Sequence, residues 1–263
     1  MVSLRRGRVT STRCLTIWSS NRTHKMLGGM GGVAEITPPI IYFGGSPIML
    51  VLGLDPSLTA YGWALHDTTA SGAGRCVERG RYSTSADMLF IDRYVFMRTV
   101  LLELIERLKP DRVGIESPFF GGSYSEGMYG LFLYSNEALK LSRRDVVYFS
   151  PLQVKAHARE SLKRPPKWEM MKPDMVEATK ADLGVRKTIN HNEADAYLVA
   201  RLAGRFWHYL DGEVPDNALT AVERKLFAEV HTYGRGKKAG RTEQRGLVYR
   251  EEDRFFRWSQ VDR

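Results

Sequence analysis

Residues 51–65, VLGLDPSLTAYGWAL, carry the strongest structural signal in the chain. An apolar run reaches Asp55, a Pro-Ser turn follows it, and a second largely apolar segment begins at Tyr61. Short apolar runs bounded by turn residues are typical of buried β-strands. The stretch therefore predicts a hairpin of two buried strands, with a carboxylate at the end of the first strand.

The pattern that follows this hairpin alternates strands with helices. The predicted elements are a strand, a helix, a strand, a helix, a strand and three helices, at residues 75–84, 86–108, 111–117, 128–141, 145–149, 151–162, 173–183 and 192–207. Such an order is typical of α/β proteins, in which helices cover a sheet. We therefore expect an α/β fold with a mixed central sheet flanked by helices, in one domain at residues 49–207.

The predicted domain has an extension at each end. Residues 1–48 show no helical or strand period and predict a disordered or dispensable leader, with a basic nucleic-acid-binding arm as the alternative. Met49 then begins a clean strand, so one hypothesis is that translation starts there. Residues 208–263 predict a charged C-terminal extension, either a small subdomain or a partly ordered appendage.

The chain carries a formal net charge of +9, which favours polyanionic partners such as nucleic acid. More than half of this excess lies in residues 1–48, so the remainder is only mildly basic. The C-terminal extension is either a solvated surface or a nucleic-acid-binding one. Its candidate phosphate contacts lie on a glycine-rich stretch and are Arg235, Lys237, Lys238 and Arg241.

Composition argues against several classes of protein. Two cysteines, Cys14 and Cys76, are too few for a disulfide framework, and no paired Cys/His spacing indicates a zinc site. The apolar run at residues 36–54 is interrupted by Pro and Gly residues and makes a poor membrane helix. We therefore expect a cytoplasmic protein without a membrane span.

Two carboxylates end two of the predicted strands. Asp55 ends the first, and Glu116 ends the short apolar strand VGIE before a loop rich in Pro and Gly. Ligands of open α/β sheets bind beyond the carboxyl ends of the strands, so neighbouring strands would bring the two acids together. The structural alternatives are a turn in which Asp55 caps the amide of Ser57 or Leu58, and an ion pair between Glu116 and Arg144.

A third carboxylate, Asp195, lies near the start of the helix predicted in HNEADAYLVARLAGRFW, residues 191–207. Residues three and four apart share a helix face, so Asp195 aligns with Asn192 and His191, whereas Glu193 points roughly to the other side. Acids are favoured in a first helical turn by the helix dipole. We assign that role to Glu193, and regard Asp195, deeper in the helix, as the stronger candidate for chemistry.

Three carboxylates at one sheet edge repel one another, so their close approach requires a cation. Hard oxygen ligands suit Mg²⁺ or Mn²⁺. Two such ions about 4 Å apart activate a water molecule and stabilise the leaving oxygen in phosphodiester hydrolysis. The three acids together therefore predict a metal-dependent nuclease.

These segments together resemble the RuvC family of Holliday junction resolvases, over residues 49–205. LGLDPSLTAYGWAL is similar to the first hairpin of the family, VGIES to its strand ending in a catalytic Glu, and NEADAYLVA to its helix with a D-x-x-D-A signature. The resemblance implies an RNase H-like fold. It also implies that Asp55, Glu116 and Asp195 are catalytic metal ligands.

The chain departs from the family pattern at Asn192, where the family commonly has a fourth acidic or His ligand. An Asn can coordinate through its carbonyl oxygen but adds no charge, so the second metal site is weaker or rearranged. His191 and Glu193 are candidates to substitute, and His191 has the better helical phase. The alternative for His191 is an exposed histidine at the start of the helix.

The resemblance also implies residues that contact DNA. Phe119, with Phe120 as a substitute, is similar to the aromatic residue with which the family stacks on junction bases. Lys155 in PLQVK and Lys172 at the start of the next helix are similar to its basic residues near the scissile phosphate. The structural alternative for the Phe residue is a small apolar anchor under the loop, and the alternative for the two lysines is an ordinary exposed position on the surface.

What the resemblance implies is a Mg²⁺-dependent, structure-selective DNA endonuclease that resolves four-way junctions as a homodimer, similar to divergent RuvC-like proteins of bacteriophages. The predicted helix at residues 128–141 is a candidate dimer surface, unless its apolar stripe belongs to the core. One alternative is a nuclease of the same fold that cuts RNA, RNA-DNA hybrids or flaps. The other is a non-catalytic nucleic-acid-binding module, or an ATPase-like relative, although the sequence lacks the Gly-rich phosphate loops of the latter.

Overall fold

The computed structural model describes residues 9–13, 48–71, 74–117, 126–227, 230–232, 242–244, 247–249 and 256–257. The strands are β1 (Val9–Arg13), β2 (Met49–Asp55), β3 (Ala60–Thr68), β4 (Gly74–Ser83), β5 (Arg112–Glu116), β6 (Asp145–Phe149), β7 (Val230–Thr232), β8 (Thr242–Gln244), β9 (Leu247–Tyr249) and β10 (Phe256–Arg257). The helices are α1 (Phe90–Leu108), α2 (Glu126–Leu141), α3 (Pro151–Ser161), α4 (Lys172–Leu183), α5 (His191–Leu210) and α6 (Ala221–Phe227).

The central sheet is mixed. Its strand order is β1-β4-β3-β2-β5-β6-β9-β10, and β2, β3 and β4 form a consecutive antiparallel run within it. Strand β5 lies parallel to both β2 and β6, as helical crossover connections require. The predicted α/β fold, with a mixed sheet flanked by helices, is confirmed.

Alternating residues of the strands build a separate core on each face of the sheet. On β2, Leu52 and Leu54 are buried in the core that contains α1 and α2, whereas Val51 belongs to the core that contains α3, α4 and α5. Because successive side chains of a strand point to opposite faces, Asp55 shares the face of Val51. The first carboxylate therefore lies on the α5 side of the sheet.

Helix α5 lies unusually close to this face because glycines line its path. A methyl group at Gly53 would lie 2.1 Å from the carbonyl oxygen of Ala196, and one at Gly62 would lie 2.1 Å from that of Asn192. At Gly114 the same addition would meet the Ala203 side chain at 2.5 Å. No side chain larger than hydrogen fits between helix and sheet at these points, so glycine is required for the contact.

The predicted extensions contain regular structure that their composition did not indicate. Strand β1, within residues 1–48, pairs antiparallel with β4, and β9 of the C-terminal extension pairs with β6. Helix α5 continues three residues past the boundary predicted at residue 207. Beyond it, four buried apolar side chains belong to the same core as α5: Val214, Leu219, Leu226 and Phe227. The boundary at 207 therefore falls inside a packed core, and the division into three domains stays a prediction.

Within the ranges given above, no helix is long and apolar enough to cross a membrane.

Replacing Gly53 with alanine should destabilise the fold. The added methyl group would meet backbone atoms of α5, which cannot rotate away, so we expect a loss near the upper end of overpacking effects, about 3 kcal/mol. Gly184→Ala is the matched control, because a methyl group there meets nothing within 4 Å and the cost is that of its positive φ, about 1 kcal/mol. Urea unfolding measures both, and equal losses would contradict the close approach.

Candidate metal centre

Asp55 and Glu116 lie side by side at the carboxyl ends of β2 and β5. The parallel pairing of these strands runs to Leu54 and Ile115, and the two acids are the next residues on each strand. Gly53 and Gly114 precede them by two positions, so both carboxylates share the face on which α5 lies. Each acid is partly buried, with part of its surface still open to solvent.

Asp195 reaches the same place from α5. The helix backbone contacts Gly62 at Asn192 and Gly53 at Ala196, and Asp195 lies between these two anchor points. Gly62 is also the register partner of Asp55 on the neighbouring strand. One oxygen of Asp195, Oδ1, is buried and has no hydrogen-bond partner among the described residues. A buried carboxylate oxygen without a donor is costly, so this atom is available to a cation.

The three carboxylates disturb one another electrostatically. Burial, followed by repulsion from Glu116 and Asp195, raises the pKa of Asp55 well above its usual range. Burial and then Asp195 raise the pKa of Glu116 to about 8. Burial raises the pKa of Asp195 to about 6. The three acids are therefore close neighbours whose joint ionisation at neutral pH is unfavourable without a positive charge between them.

The carboxylate oxygens of Asp55, Glu116 and Asp195 suit a hard divalent cation, although these side chains do not yet surround a common point. Within the described part of the chain, no three His, Cys, Asp or Glu side chains already stand in the arrangement of a completed metal site. The raised pKa values and the unpartnered Asp195 oxygen nevertheless favour a cation at this sheet edge. Carboxylate oxygens without thiolate partners are typical ligands of Mg²⁺ or Mn²⁺.

Two lysines lie beside the carboxylates. Lys155 is in the second turn of α3, which begins directly after β6, where the backbone N–H of Ser150 donates to Gln153 Oε1 at 2.8 Å. Lys172 is the first residue of α4. The charge of Lys155 lowers the pKa of Glu116 and Asp195, and the charge of Lys172 lowers that of Asp55 and Asp195. Both lysines are thus within electrostatic reach of the site.

Three residues at the start of α5 occupy different environments. Asn192 is buried, and its backbone N–H donates to Asn190 Oδ1 at 3.0 Å, which caps the helix. His191 is partly buried, and burial, Lys172 and Arg81 together lower its pKa, which favours the neutral imidazole that can bind a metal. Glu193 is buried and lies 3.3 Å from the guanidinium of Arg79 on β4.

The Glu193 contact adds to the sequence interpretation. Glu193 lies in the first turn of α5, as predicted, and it also forms an ion pair with Arg79 that fixes the start of α5 to the sheet. Sequence reasoning missed its partner, Arg79, together with Arg81 on the same strand. The signal was the alternation of Arg79, Gly80 and Arg81, which places both arginines on one face of β4.

The purely structural alternatives for the first two acids find no support. Among the described hydrogen bonds, none joins Asp55 to the amides of Ser57 or Leu58. Likewise, none of the described ion pairs joins Glu116 to Arg144, whose Nε is buried without a hydrogen-bond partner. The electrostatic neighbours of Glu116 are instead Asp195 and Lys155.

The remaining predicted contacts lie outside the described residues. These are the two aromatic candidates and the basic cluster of the C-terminal extension: Phe119, Phe120, Arg235, Lys237, Lys238 and Arg241. Their roles stay predictions.

Comparisons with known proteins point to one family. The chain is 30% identical over 114 residues to the crossover junction endodeoxyribonuclease RuvC of Borrelia turicatae, a match over 41% of this chain and 68% of the relative. It is 26% identical over 112 residues to the RuvC of Halothermothrix orenii, over 41% of this chain and 66% of that relative. Other RuvC relatives, from Chloroflexus, are matched over 44% of their length. No family model matches the chain.

The fold comparison agrees with these relatives. The structure of Thermus thermophilus RuvC superposes with a TM-score of 0.51 at 21% sequence identity, over 62% of this chain and 97% of that one. At this level of identity the likeness concerns the fold. The matched region is therefore RuvC-like in architecture, with further structure on either side of it.

The raised pKa of Glu116 predicts a pH dependence of stability in metal-free protein. Its pKa rises from an ordinary 4.5 to about 8, so the folded state holds this proton where the unfolded chain has released it. This stabilisation is complete below about pH 4.5 and is lost as the pH rises to about 8. We expect Glu116→Gln to lose less stability than the wild type across that range, as measured by urea unfolding at several pH values.

The matched control for that measurement is Glu137→Gln. Glu137 forms an exposed ion pair with Arg98 on the other face of the sheet. The difference between each variant and the wild type removes the contribution of other titrating groups, such as the buried His66 and His157. Parallel pH profiles for the wild type and Glu116→Gln would contradict the electrostatic description of the site.

Proposed function

The chain belongs to the RuvC family of crossover junction endodeoxyribonucleases, and we propose that it is a metal-dependent, structure-selective DNA endonuclease that resolves Holliday junctions. The observation that carries this proposal is the convergence of Asp55, Glu116 and Asp195 at one sheet edge, where burial raises the pKa of all three and repulsion adds to it for Asp55 and Glu116. Such a set requires a cation, and cations at carboxylate clusters serve phosphodiester hydrolysis.

The residues divide the chemistry between them. Asp55, Glu116 and Asp195 supply carboxylate oxygens, and Asn192 or His191 supplies the fourth position on α5. Mg²⁺, or Mn²⁺ in its place, bound here as two ions would activate a water molecule and stabilise the leaving oxygen. We propose that the neutral fourth position makes the second ion site the weaker of the two.

Lys155 and Lys172 act on the substrate in this proposal. Both lie within electrostatic reach of the carboxylates, on helices that approach from the α5 side. A DNA phosphate entering the site would add negative charge to three acids, and the two ammonium groups would offset it. They would position the scissile phosphate and stabilise charge that develops on it during cleavage.

We assign recognition of the junction to two groups of residues outside the described parts of the chain. Phe119, or Phe120, would stack on an unpaired base, and the basic cluster at Arg235 to Arg241 would contact phosphates further along the strands. Because the curated relatives are bacterial, we propose that the chain acts in the cytoplasm of a bacterium, or of a bacterial host if it is of phage origin.

Asp55→Asn tests the proposal directly. The substitution keeps the shape of the side chain but removes one ligand charge, so we expect cleavage of a four-way junction in Mg²⁺ to fall at least about a thousandfold, since metal assistance is worth several kcal/mol and 1.4 kcal/mol corresponds to tenfold. Asp92→Asn, on the exposed surface of α1, is the matched control and should cleave at the wild-type rate. Product yield on denaturing gels gives the rates.

The same assay separates the competing functions. Full activity in Asp55→Asn would remove the metal-site assignment. Preferential wild-type cleavage of duplex, flap or RNA-DNA hybrid would favour a nuclease with another substrate. Binding of the junction without cleavage in Mg²⁺ or Mn²⁺ would favour a binding module.

We also propose a homodimer, which would match the two-fold symmetry of a four-way junction. Helices α1 and α2 pack together on the face of the sheet opposite the metal centre, with Tyr94 against Tyr134. Large apolar side chains at their outer surface are exposed: Leu89, Phe90, Ile91, Val95, Tyr129 and Leu133. Exposed apolar patches of this kind are typical of protein interaction surfaces. The exposed side chains support the predicted role of α2 as a dimer surface. Part of the apolar stripe of α2 lies in the core and part is exposed.

Leu133→Glu should weaken this dimer. Leu133 is 48% exposed, and a carboxylate there would be buried without a partner in an apolar interface. We expect the dimer dissociation constant to rise at least about thirtyfold, the cost of losing one central contact. Leu152→Glu, at an exposed leucine of α3 on the other face, is the control. Sedimentation velocity measures both, and an unchanged dimer in Leu133→Glu would exclude this surface.

A further inference from the structure

Arg81 lies in the same row of the sheet as the first carboxylate. Asp55 on β2 is the register partner of Gly62 on β3, and Gly62 is the register partner of Arg81 on β4. Adjacent strands are about 4.8 Å apart, so the Cα atoms of Asp55 and Arg81 are separated by about 10 Å. An arginine side chain covers much of that distance.

The side chain of Arg81 shares the face that carries the metal centre. Arg79, two residues earlier on β4, forms its ion pair with Glu193 of α5. Tyr82, the next residue, stacks on Trp63 in the core of the opposite face. Strand alternation then places Arg81 on the α5 side, near enough to the start of α5 for its charge to lower the pKa of His191.

Among the residues that the structure describes, Arg81 differs from its neighbours in having no acidic partner. On the same strand, Arg75 pairs with Asp67 at 2.6 Å and Arg79 pairs with Glu193, while Arg107 of α1 pairs with Glu78. Among the described residues, no ion pair or hydrogen bond is made by the Arg81 side chain, which is partly exposed. A guanidinium in this position is available to an anion from outside the protein.

The surroundings of Arg81 favour an anion over a cation. The backbone of Asn192 contacts Gly62, between Arg81 and Asp55, and its amide side chain adds no negative charge. Glu193 on this side is already paired with Arg79, and the charge of Lys172, like that of Arg81, lies close enough to His191 to lower its pKa. Lys155 lies beside Glu116, toward β5, whereas Arg81 lies beyond β3, so the basic groups flank the carboxylates on two sides.

We infer that Arg81 is a positioning residue. It binds a phosphate group of the cleaved DNA strand that lies near the scissile phosphate. The inference rests on the proposed function, because it requires DNA at the carboxylates. A strand rises about 3.4 Å per nucleotide, so a phosphate at Arg81 lies within about three nucleotides of the scissile one. By holding the strand there, Arg81 contributes to binding and leaves the hydrolysis itself to the carboxylates and lysines.

The test is the salt dependence of junction binding, measured without cleavage in EDTA. The wild type, Arg81→Gln, Arg81→Lys and Arg75→Gln are titrated with a labelled four-way junction at several salt concentrations. Loss of one phosphate contact reduces the slope of log affinity against log salt by about 0.9. We expect this reduction in Arg81→Gln, and a slope retained in Arg81→Lys, because the lysine restores the charge.

Arg75→Gln is the matched control. It removes the same charge from the same strand, at the end remote from the carboxylates, and should leave the slope unchanged. In Mg²⁺, Arg81→Gln should raise KM severalfold with kcat unchanged, since a contact made equally in bound substrate and transition state affects binding. Thermal unfolding of each variant verifies that the fold is retained.

Two results would overturn the inference and leave the proposed function standing. One is a wild-type slope in Arg81→Gln, and the other is an equal reduction in Arg81→Gln and Arg75→Gln, which would indicate a general effect of net charge. Failure of the wild type itself to bind the junction would instead overturn the proposed function, and the role of Arg81 with it. The wild-type titration therefore distinguishes the two failures.

Discussion

The close contact between α5 and the central strands is the constraint on which the rest of the structure depends. Glycine at positions 53, 62 and 114 lets the helix backbone rest on β2, β3 and β5 without intervening side chains. The gain is a dry core on that face, which includes Trp207 and Phe206. The cost is entropic, because glycine has more backbone conformational freedom in the unfolded chain than other residues and loses it on folding. Because helix and sheet touch directly, Asp195 comes within electrostatic reach of Asp55 and Glu116.

That proximity creates an electrostatic conflict that the protein alone does not resolve. Burial raises the pKa values of all three acids, repulsion from neighbouring acids raises those of Asp55 and Glu116 further, and Lys155 and Lys172 offset this only in part. The buried pair of Glu193 and Arg79 keeps the start of α5 in position in spite of it. A buried ion pair contributes more to orientation than to net stability. The site is therefore held in place by its surroundings and favours binding of a cation.

The two faces of the sheet have separate tasks. The α5 face carries the carboxylates, both lysines and Arg81, while the opposite face, under α1 and α2, is apolar and ends in an exposed apolar surface. Strand alternation enforces this separation, because neighbouring residues of one strand cannot share a face. A dimer formed through α1 and α2 would leave both metal centres free for DNA. The same geometry would present them on opposite sides of the two-fold axis.

The sequence by itself determined the order of strands and helices in residues 49–207 and the three acids at their ends, because both depend on short-range patterns of apolar and polar residues. It also indicated that Asp195, and not Glu193, faces the other acids, since helical spacing is local. Strand β1, the pairing of β9 with β6 and the packing of residues 208–227 were decided by tertiary structure, because strand pairing joins segments far apart in the chain. The ion pair of Glu193 with Arg79 and the position of Arg81 beside the carboxylates were hidden for the same reason. The register of β2, β3 and β4 decides which side chains meet, and no local pattern encodes that register.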